Sequence, residues 1–208
     1  MRSKIDKGIY SVALFVSFIS FACGGRTLEN SGFIEVKKLD PSIRIDIRYA
    51  TDSNFTHQKL YPVAKCYLRL EAAESLRAVQ RDLKKIGLGL KVLDGYRPLS
   101  VQEKMWKILP DTNYVANPAV GSRHNRGTAV DVTLVDSLGH ELQMPTGFDN
   151  FTDMAHRDYM NLPENVIKNR ELLDRLMERH GFVGLSTEWW HFDLKDWKKY
   201  PVENLPLK

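Results

Sequence analysis

Apolar positions in this chain fall into short runs whose spacing switches between two and nearly four. Ile43-Arg44-Ile45-Asp46-Ile47-Arg48-Tyr49 alternates cleanly, the pattern of a half-buried strand. Phe33 to Leu39 predicts a shorter strand before it, and Thr51 to Pro62 is a loop rich in turn formers. Leu68, Ala72, Leu76, Val79, Leu83 and Ile86 then recur three or four apart. They predict the longest helix over Cys66 to Ile86, stopped by Gly87. Leu88 to Leu93 returns to strand and enters the turn Asp94-Gly95-Tyr96-Arg97-Pro98. Ser100 and Glu103 have the spacing of a capping box for a helix that Pro110 ends.

Asp111 to Gly121 reads as loop and Thr128 to Val135 as strand. In that strand Ala129, Asp131 and Thr133 share one face, and Val130, Val132 and Leu134 the other. Asp136 to Gly139 has hairpin-turn chemistry, and Thr146 to Leu162 is irregular and polar. Glu164 to His180 predicts a second long helix ended by Gly181, followed by a hairpin of Phe182 to Leu185 and Glu188 to Leu194. Strands and helices do not alternate strictly. The expected architecture is α+β: a mostly antiparallel central sheet flanked by helices, in a single domain.

Length and composition narrow the picture. A chain of 208 residues suits one well-packed domain, and 43% hydrophobic with 27% charged residues is an ordinary globular balance. The formal charge of +4 is spread along the chain, against a nucleic-acid surface, which would cluster it. The start differs from the rest: Arg2, Lys4 and Lys7 precede an apolar run from Ile9 to Ala22 that is short for a membrane span. Residues 1–22 therefore read as a signal peptide. Ala22-Cys23-Gly24-Gly25 resembles a bacterial lipoprotein processing site, although Ser20 and Phe21 depart from its usual residues. The expected organisation is a signal segment at 1–22, a tether at 23–32 and one folded domain at 33–208. The protein would be exported, periplasmic or held at the membrane only by a lipid anchor or signal segment. Removal of residues 1–22 takes away three bases and one acid, lowering the formal charge from +4 to +2. Cys66 would then be a lone thiol, read as core.

The chemistry concentrates in two segments. Ser122-Arg123-His124-Asn125-Arg126-Gly127-Thr128-Ala129-Val130-Asp131 and Glu188-Trp189-Trp190-His191 supply two imidazoles and a carboxylate, with Glu188 besides. Three protein ligands and one open position are what a catalytic zinc needs, and a nearby non-ligand carboxylate can accept a proton from water. A buried Asp131 on an apolar strand needs a partner: a metal shared with His124, or a guanidinium such as Arg126. Glu188 and His191 lie three apart, and a flat strand would point them to opposite faces. The backbone must turn or bulge between them, or one must sit at the strand's start. Trp189 and Trp190 read as core or pocket wall. His57, His140 and His156 fall in loops and His180 at a helix end, so all four read as exposed. Arg97 in its rigid turn suits a fixed catalytic cation or an ion pair. Asp149, between Phe148 and Phe151, suits an amine acceptor or a solvated loop carboxylate.

Ser-x-His-x-x-Gly-x-Ala-x-Asp with Glu-x-x-His resembles the zinc peptidases of the D-alanyl-D-alanine dipeptidase family, which share a fold with D-Ala-D-Ala carboxypeptidases and the Hedgehog signalling domain. Further matching segments are Arg48-Tyr49-Ala50-Thr51 with Asn54-Phe55, Asp94-Gly95-Tyr96-Arg97-Pro98, Gly147-Phe148-Asp149, and Glu188-Trp189-Trp190-His191-Phe192. The resemblance spans about residues 35–197. It implies one Zn2+ held by His124, Asp131 and His191, with Glu188 as general base and acid and Arg97 as oxyanion stabiliser. Asp149, with Tyr49, would hold the substrate's amino group, and Ser122 would orient the dipeptide.

The expected function is zinc-dependent hydrolysis of D-alanyl-D-alanine to free D-alanine in cell-wall dipeptide turnover. The alternatives are a D,D-carboxypeptidase or endopeptidase acting on peptidoglycan stem peptides, and a zinc-dependent binding protein without turnover. Asp149 as an amine anchor argues against longer peptides, and Glu188 against a silent site. Export points to scavenging of wall-derived dipeptide rather than glycopeptide resistance, because precursor dipeptide is made in the cytoplasm.

Overall fold

The computed structural model describes residues 26–208; the expected signal segment and Cys23 lie outside the described residues. In chain order the elements are β1 (Phe33–Glu35), α1 (Val36–Leu39), β2 (Arg44–Ile45), β3 (Tyr67–Arg69), α2 (Leu70–Lys84), β4 (Leu88–Asp94), α3 (Leu99–Ile108), β5 (Ala129–Asp136), α4 (Glu164–Arg179), β6 (Phe182–Leu185) and β7 (Glu188–Leu194). Five strands form the main sheet in the order β2-β4-β5-β7-β6, with β2 parallel to β4 and every other pairing antiparallel. β1 and β3 form a separate two-stranded ribbon. α2 and α4 pack on the sheet and on each other, joined by His180 Nε2 and Asp82 Oδ2 at 2.8 Å. This is the α+β, mostly antiparallel architecture that the pattern predicts.

β5 is the sheet's centre, and its positions Ala129 to Val135 are all buried. Burial on both faces explains the apolar run; Asp131 and Thr133 are its polar exceptions. Ala72, Leu76, Val79 and Leu83 close the core from α2. Each large aliphatic side chain so buried contributes about 1.5–3 kcal/mol. The C-terminal tail straps across: Leu205 and Leu207 are buried, and Tyr96 Oη both donates to Leu205 O at 3.0 Å and accepts its N–H at 2.7 Å.

Several local expectations change. Cys66 to Ile86 is not one helix. Tyr67, Leu68 and Arg69 pair with Glu35, Ile34 and Phe33, so backbone partners from β1 override the helical spacing, and Ile86 is exposed beyond the helix end. At 16 residues α4 is longer than α2, at 15. Phe33 to Leu39 breaks at Val36 into one helical turn. Of Ile43 to Tyr49, only Arg44–Ile45 pairs, at the sheet edge, and Arg48–Ala50 is a 3₁₀ turn. The capping box does not form: Pro98 takes the N-cap of α3, and the Ser100 N–H is satisfied from the tail by Asn204 Oδ1 at 2.9 Å.

Candidate metal centre and active site

Register across three strands aligns the acidic and imidazole groups. Asp94 on β4 pairs with Asp131 on β5, and Asp131 pairs with His191 on β7. Directly opposed residues share a face of the sheet, so the three side chains form one row. His124 reaches the row from the 3₁₀ turn His124–Arg126. Gly127 ends that turn at φ 71°, where a Cβ would collide with the Phe33 ring. The turn is tied to the Arg97 segment: Arg97 N donates to His124 O at 3.1 Å and Asn125 Nδ2 donates to Arg97 O at 2.8 Å.

His124 Nε2, Asp131 Oδ1 and His191 Nδ1 converge within 4.8 Å. The nitrogens are 3.2 Å apart, and they lie 3.5 and 3.0 Å from the carboxylate oxygen. The edge of a tetrahedron around zinc with bonds of about 2.0–2.1 Å is roughly 3.3–3.4 Å. The far ring nitrogens fix the tautomers. His124 Nδ1–H donates to Gly95 O at 2.8 Å, and His191 Nε2–H donates to Asp193 Oδ1 at 3.0 Å. In their neutral forms, which metal binding requires, the two imidazoles aim nitrogen lone pairs at the point that the Asp131 oxygen also faces. That concentration of electron density fits a divalent cation, and the His₂-carboxylate donor set suits zinc. Burial alone would raise the Asp131 pKa, but the two imidazoles hold it below the usual carboxylate range. Burial alone would lower that of His191, but Asp193 and Asp131 raise it well above the usual value. The cluster favours positive charge at its centre.

Glu188 shares the site because β7 bulges. Gly184 pairs with Phe192 and Leu185 with Glu188, so Trp189 to His191 stand against no residue of β6. Arg157 fills this bulge. Its Nη2 donates to the carbonyls of Glu188, Trp189 and His191 at 3.1, 3.0 and 2.8 Å, and its Nε to that of Leu185 at 2.8 Å. The guanidinium also pairs with Asp174 and lies over the Phe192 ring. A Cβ at position 184 would strike it, which explains Gly184. The bulge brings Glu188 Oε2 to 4.0 Å from His191 Nδ1. Burial pushes the Glu188 carboxyl above its ordinary pKa.

These groups open on a cavity of about 330 Å³ whose walls include Tyr49, Arg97, Ser122, Asp149, Glu188 and His191. Asp149, at φ 58°, accepts the Tyr49 hydroxyl at 3.1 Å and the Phe55 N–H at 3.1 Å. Burial pushes its carboxyl up to about 7. Arg97 is buried, donating to Asp94 Oδ2 at 2.7 Å and Gln102 Oε1 at 2.8 Å. Two of five guanidinium N–H groups are thus used, and its Nε has no partner among the described residues. Ser122 Oγ accepts the His124 N–H at 3.2 Å.

The structure gathers every residue singled out from the sequence, namely His124, Asp131, His191, Glu188, Arg97, Asp149, Tyr49 and Ser122, at one cavity. Arg126 is not the partner of Asp131; its Nη1 donates to Tyr200 O at 2.6 Å. His180 is half-buried against Asp82 rather than exposed, and His156 is half-buried as well. Asp193, Arg157 and Gln102 went unrecognised. Asp193 carried a legible signal, since it lies two residues beyond His191 on the same strand face. Arg157 carried none, because its partners are backbone carbonyls.

A metal-dependent hydrolase is the class that this site defines: an open three-ligand centre with a free carboxylate at its side. Residues 29–205 match the Peptidase_M15 family, D-ala-D-ala dipeptidase, and the chain belongs to that family. The D-alanyl-D-alanine dipeptidase of Escherichia coli is 36% identical over 174 residues, covering 84% of this chain and 90% of that protein. The Enterococcus faecium D-alanyl-D-alanine dipeptidase is 31% identical over 194 residues, covering 82% and 94%. Among solved structures, the vancomycin-resistance D,D-dipeptidase VanXYg overlaps 78% of this chain and 66% of its own, at 17% identity and a TM-score of 0.41.

Proposed function

We propose that this protein is a zinc dipeptidase that hydrolyses D-alanyl-D-alanine, and similar short D,D-dipeptides, to free amino acids. One observation carries the reading: the electron-rich triangle of His124, Asp131 and His191 opens on a cavity that also presents Glu188 and Asp149. Family membership and the named activity of the curated relatives support it.

His124, Asp131 and His191 would hold the ion. Zinc bound there supplies Lewis acidity and brings the pKa of water to about 7. Glu188 accepts the proton of the attacking water and returns it to the leaving nitrogen as the peptide C–N bond breaks. Its raised pKa suits that second step. Arg97, with N–H groups to spare, stabilises the charge that develops on the carbonyl oxygen; loss of one such donor costs about 10²–10³ in rate. Asp149 and the Tyr49 hydroxyl take the free ammonium, and Ser122 helps orient the dipeptide.

The proposal includes an exported enzyme that consumes wall-derived dipeptide. Its support is the basic and apolar start of the chain, with Cys23 as the lipidated residue. Palmitate labelling of the full-length chain, lost in Cys23→Ala, tests the anchor; unlabelled wild type refutes it. For the activity, zinc-loaded protein is incubated with D-Ala-D-Ala and separately with a muramyl pentapeptide, and free D-alanine is measured. Release from the dipeptide alone is expected. Release from the pentapeptide alone would instead establish a D,D-carboxypeptidase, and release from neither would leave a binding protein.

A further inference from the structure

We propose that Arg123 and Arg126, both set against Trp197, form an anion subsite for the C-terminal carboxylate of the dipeptide. This rests on the dipeptidase reading. A dipeptide carries a charge at each end, and Asp149 answers only the ammonium. Arg97 is paired with Asp94, and its remaining N–H groups are assigned to the scissile carbonyl oxygen.

Arg123, Arg126 and Trp197 line the same cavity as the metal-site residues. The two guanidinium carbons lie 5.1 and 5.3 Å from the centroid of the Trp197 ring. A guanidinium held over an indole ring at this distance gains cation–π attraction without using its N–H groups, which stay available to a carboxylate. The charge balance calls for an anion. Among the described residues, Arg126 pairs with no carboxylate; beyond its bond to Tyr200 O its donors are uncommitted. Arg123 has one acidic neighbour, Asp193, with Nε 3.5 Å from Oδ2, and Asp193 is already shared with His191 through Oδ1. Two guanidinium groups, with Lys198 Nζ also 5.6 Å from the Trp197 centroid, thus meet one shared anion here.

Position makes the subsite a ruler. Arg123 and Arg126 belong to the turn that carries His124, so the anion point is set at a fixed offset from the metal centre. Asp149 stands in another part of the wall, with Tyr49 and Phe55. A substrate held at both ends must be short and must end in a free carboxylate. Partial exposure of Arg123, at 42%, leaves that end open for product release.

The test compares D-Ala-D-Ala with D-alanyl-D-alaninamide on the zinc-loaded full-length protein. Wild type is expected to prefer the acid by about 100-fold in kcat/KM. Arg123→Gln with Arg126→Gln should lose about 10–100-fold on the acid, mainly in KM, and less than about threefold on the amide. Arg126→Lys should keep the preference, which separates charge from folding. Equal turnover of acid and amide by wild type, or a parallel loss on both in the variants, overturns the subsite. If wild type releases D-alanine from neither, the dipeptidase reading fails. Calorimetric titration of Glu188→Gln protein with the two ligands then decides the subsite alone, and equal affinities refute it.

Discussion

Asp193 stands two residues beyond His191 on β7, and its Oδ1 receives the His191 Nε2–H at 3.0 Å. This bond turns Nδ1 of the ring toward Asp131 and makes the imidazole a better donor. Asp193→Ala should therefore weaken zinc binding by about 10–100-fold without dismantling the fold. Competition against a chromogenic chelator measures the affinity, and an unchanged value would remove Asp193 from the centre.

The clasp of Arg157 on β7 predicts a stability effect and a catalytic effect together. Arg157→Ala strips four carbonyls and Asp174 of their partner. The loss should be on the order of 2–4 kcal/mol in denaturant unfolding. Arg157→Lys should rescue little, because one ammonium cannot span four acceptors. A Lys variant with full kcat would show that the bulge holds without the guanidinium.

The proposed role of Asp149 makes substrate binding depend on pH. Its carboxyl is pushed up to about 7, so the ionised form that would hold an ammonium is lost as pH falls below neutrality. KM for the dipeptide should rise toward acid pH in wild type, and this dependence should flatten in Asp149→Asn. A KM independent of pH between 5 and 8 would exclude the role.

The same group predicts a stability gain. The native state holds a proton that the unfolded chain releases near the ordinary value of 3.8, so wild-type stability falls as pH rises from there to about 7. Asn tolerates the φ of 58° at this position and removes the charge. Asp149→Asn should be more stable than wild type by on the order of 1–3 kcal/mol at pH 8, after allowance for partial solvent access, and by little at pH 4. Denaturant midpoints at the two pH values check it.

Glu188→Gln should keep its metal and lose kcat by about 10²–10⁴-fold. Metal analysis alongside turnover separates the two roles: loss of bound metal in this variant would make Glu188 a ligand.

The legible part of the site was its list of groups. Residue type and spacing marked His124, Asp131, Glu188 and His191 as candidates, with a guanidinium such as Arg126 left open as the partner of Asp131, and the family resemblance joined them into one site. The helix over Leu70–Lys84 was legible in its interior but not at its start, where Leu68 has the helical spacing and belongs to a strand. Its pairing with Ile34 is made by a segment more than thirty residues away, and local periodicity carries no record of that.

Side-chain chemistry and periodicity along the chain determined the α+β class and named two imidazoles and two carboxylates as candidates for one centre, and the family resemblance assigned their roles; these depend on residue type and local pattern. Only the tertiary structure decided that Asp94, Asp131 and His191 stand in one row, and that Arg157 bends β7 so that Glu188 and His191 meet. The physical reason is that register and bulges are set by backbone groups, which every residue shares and no residue name reveals.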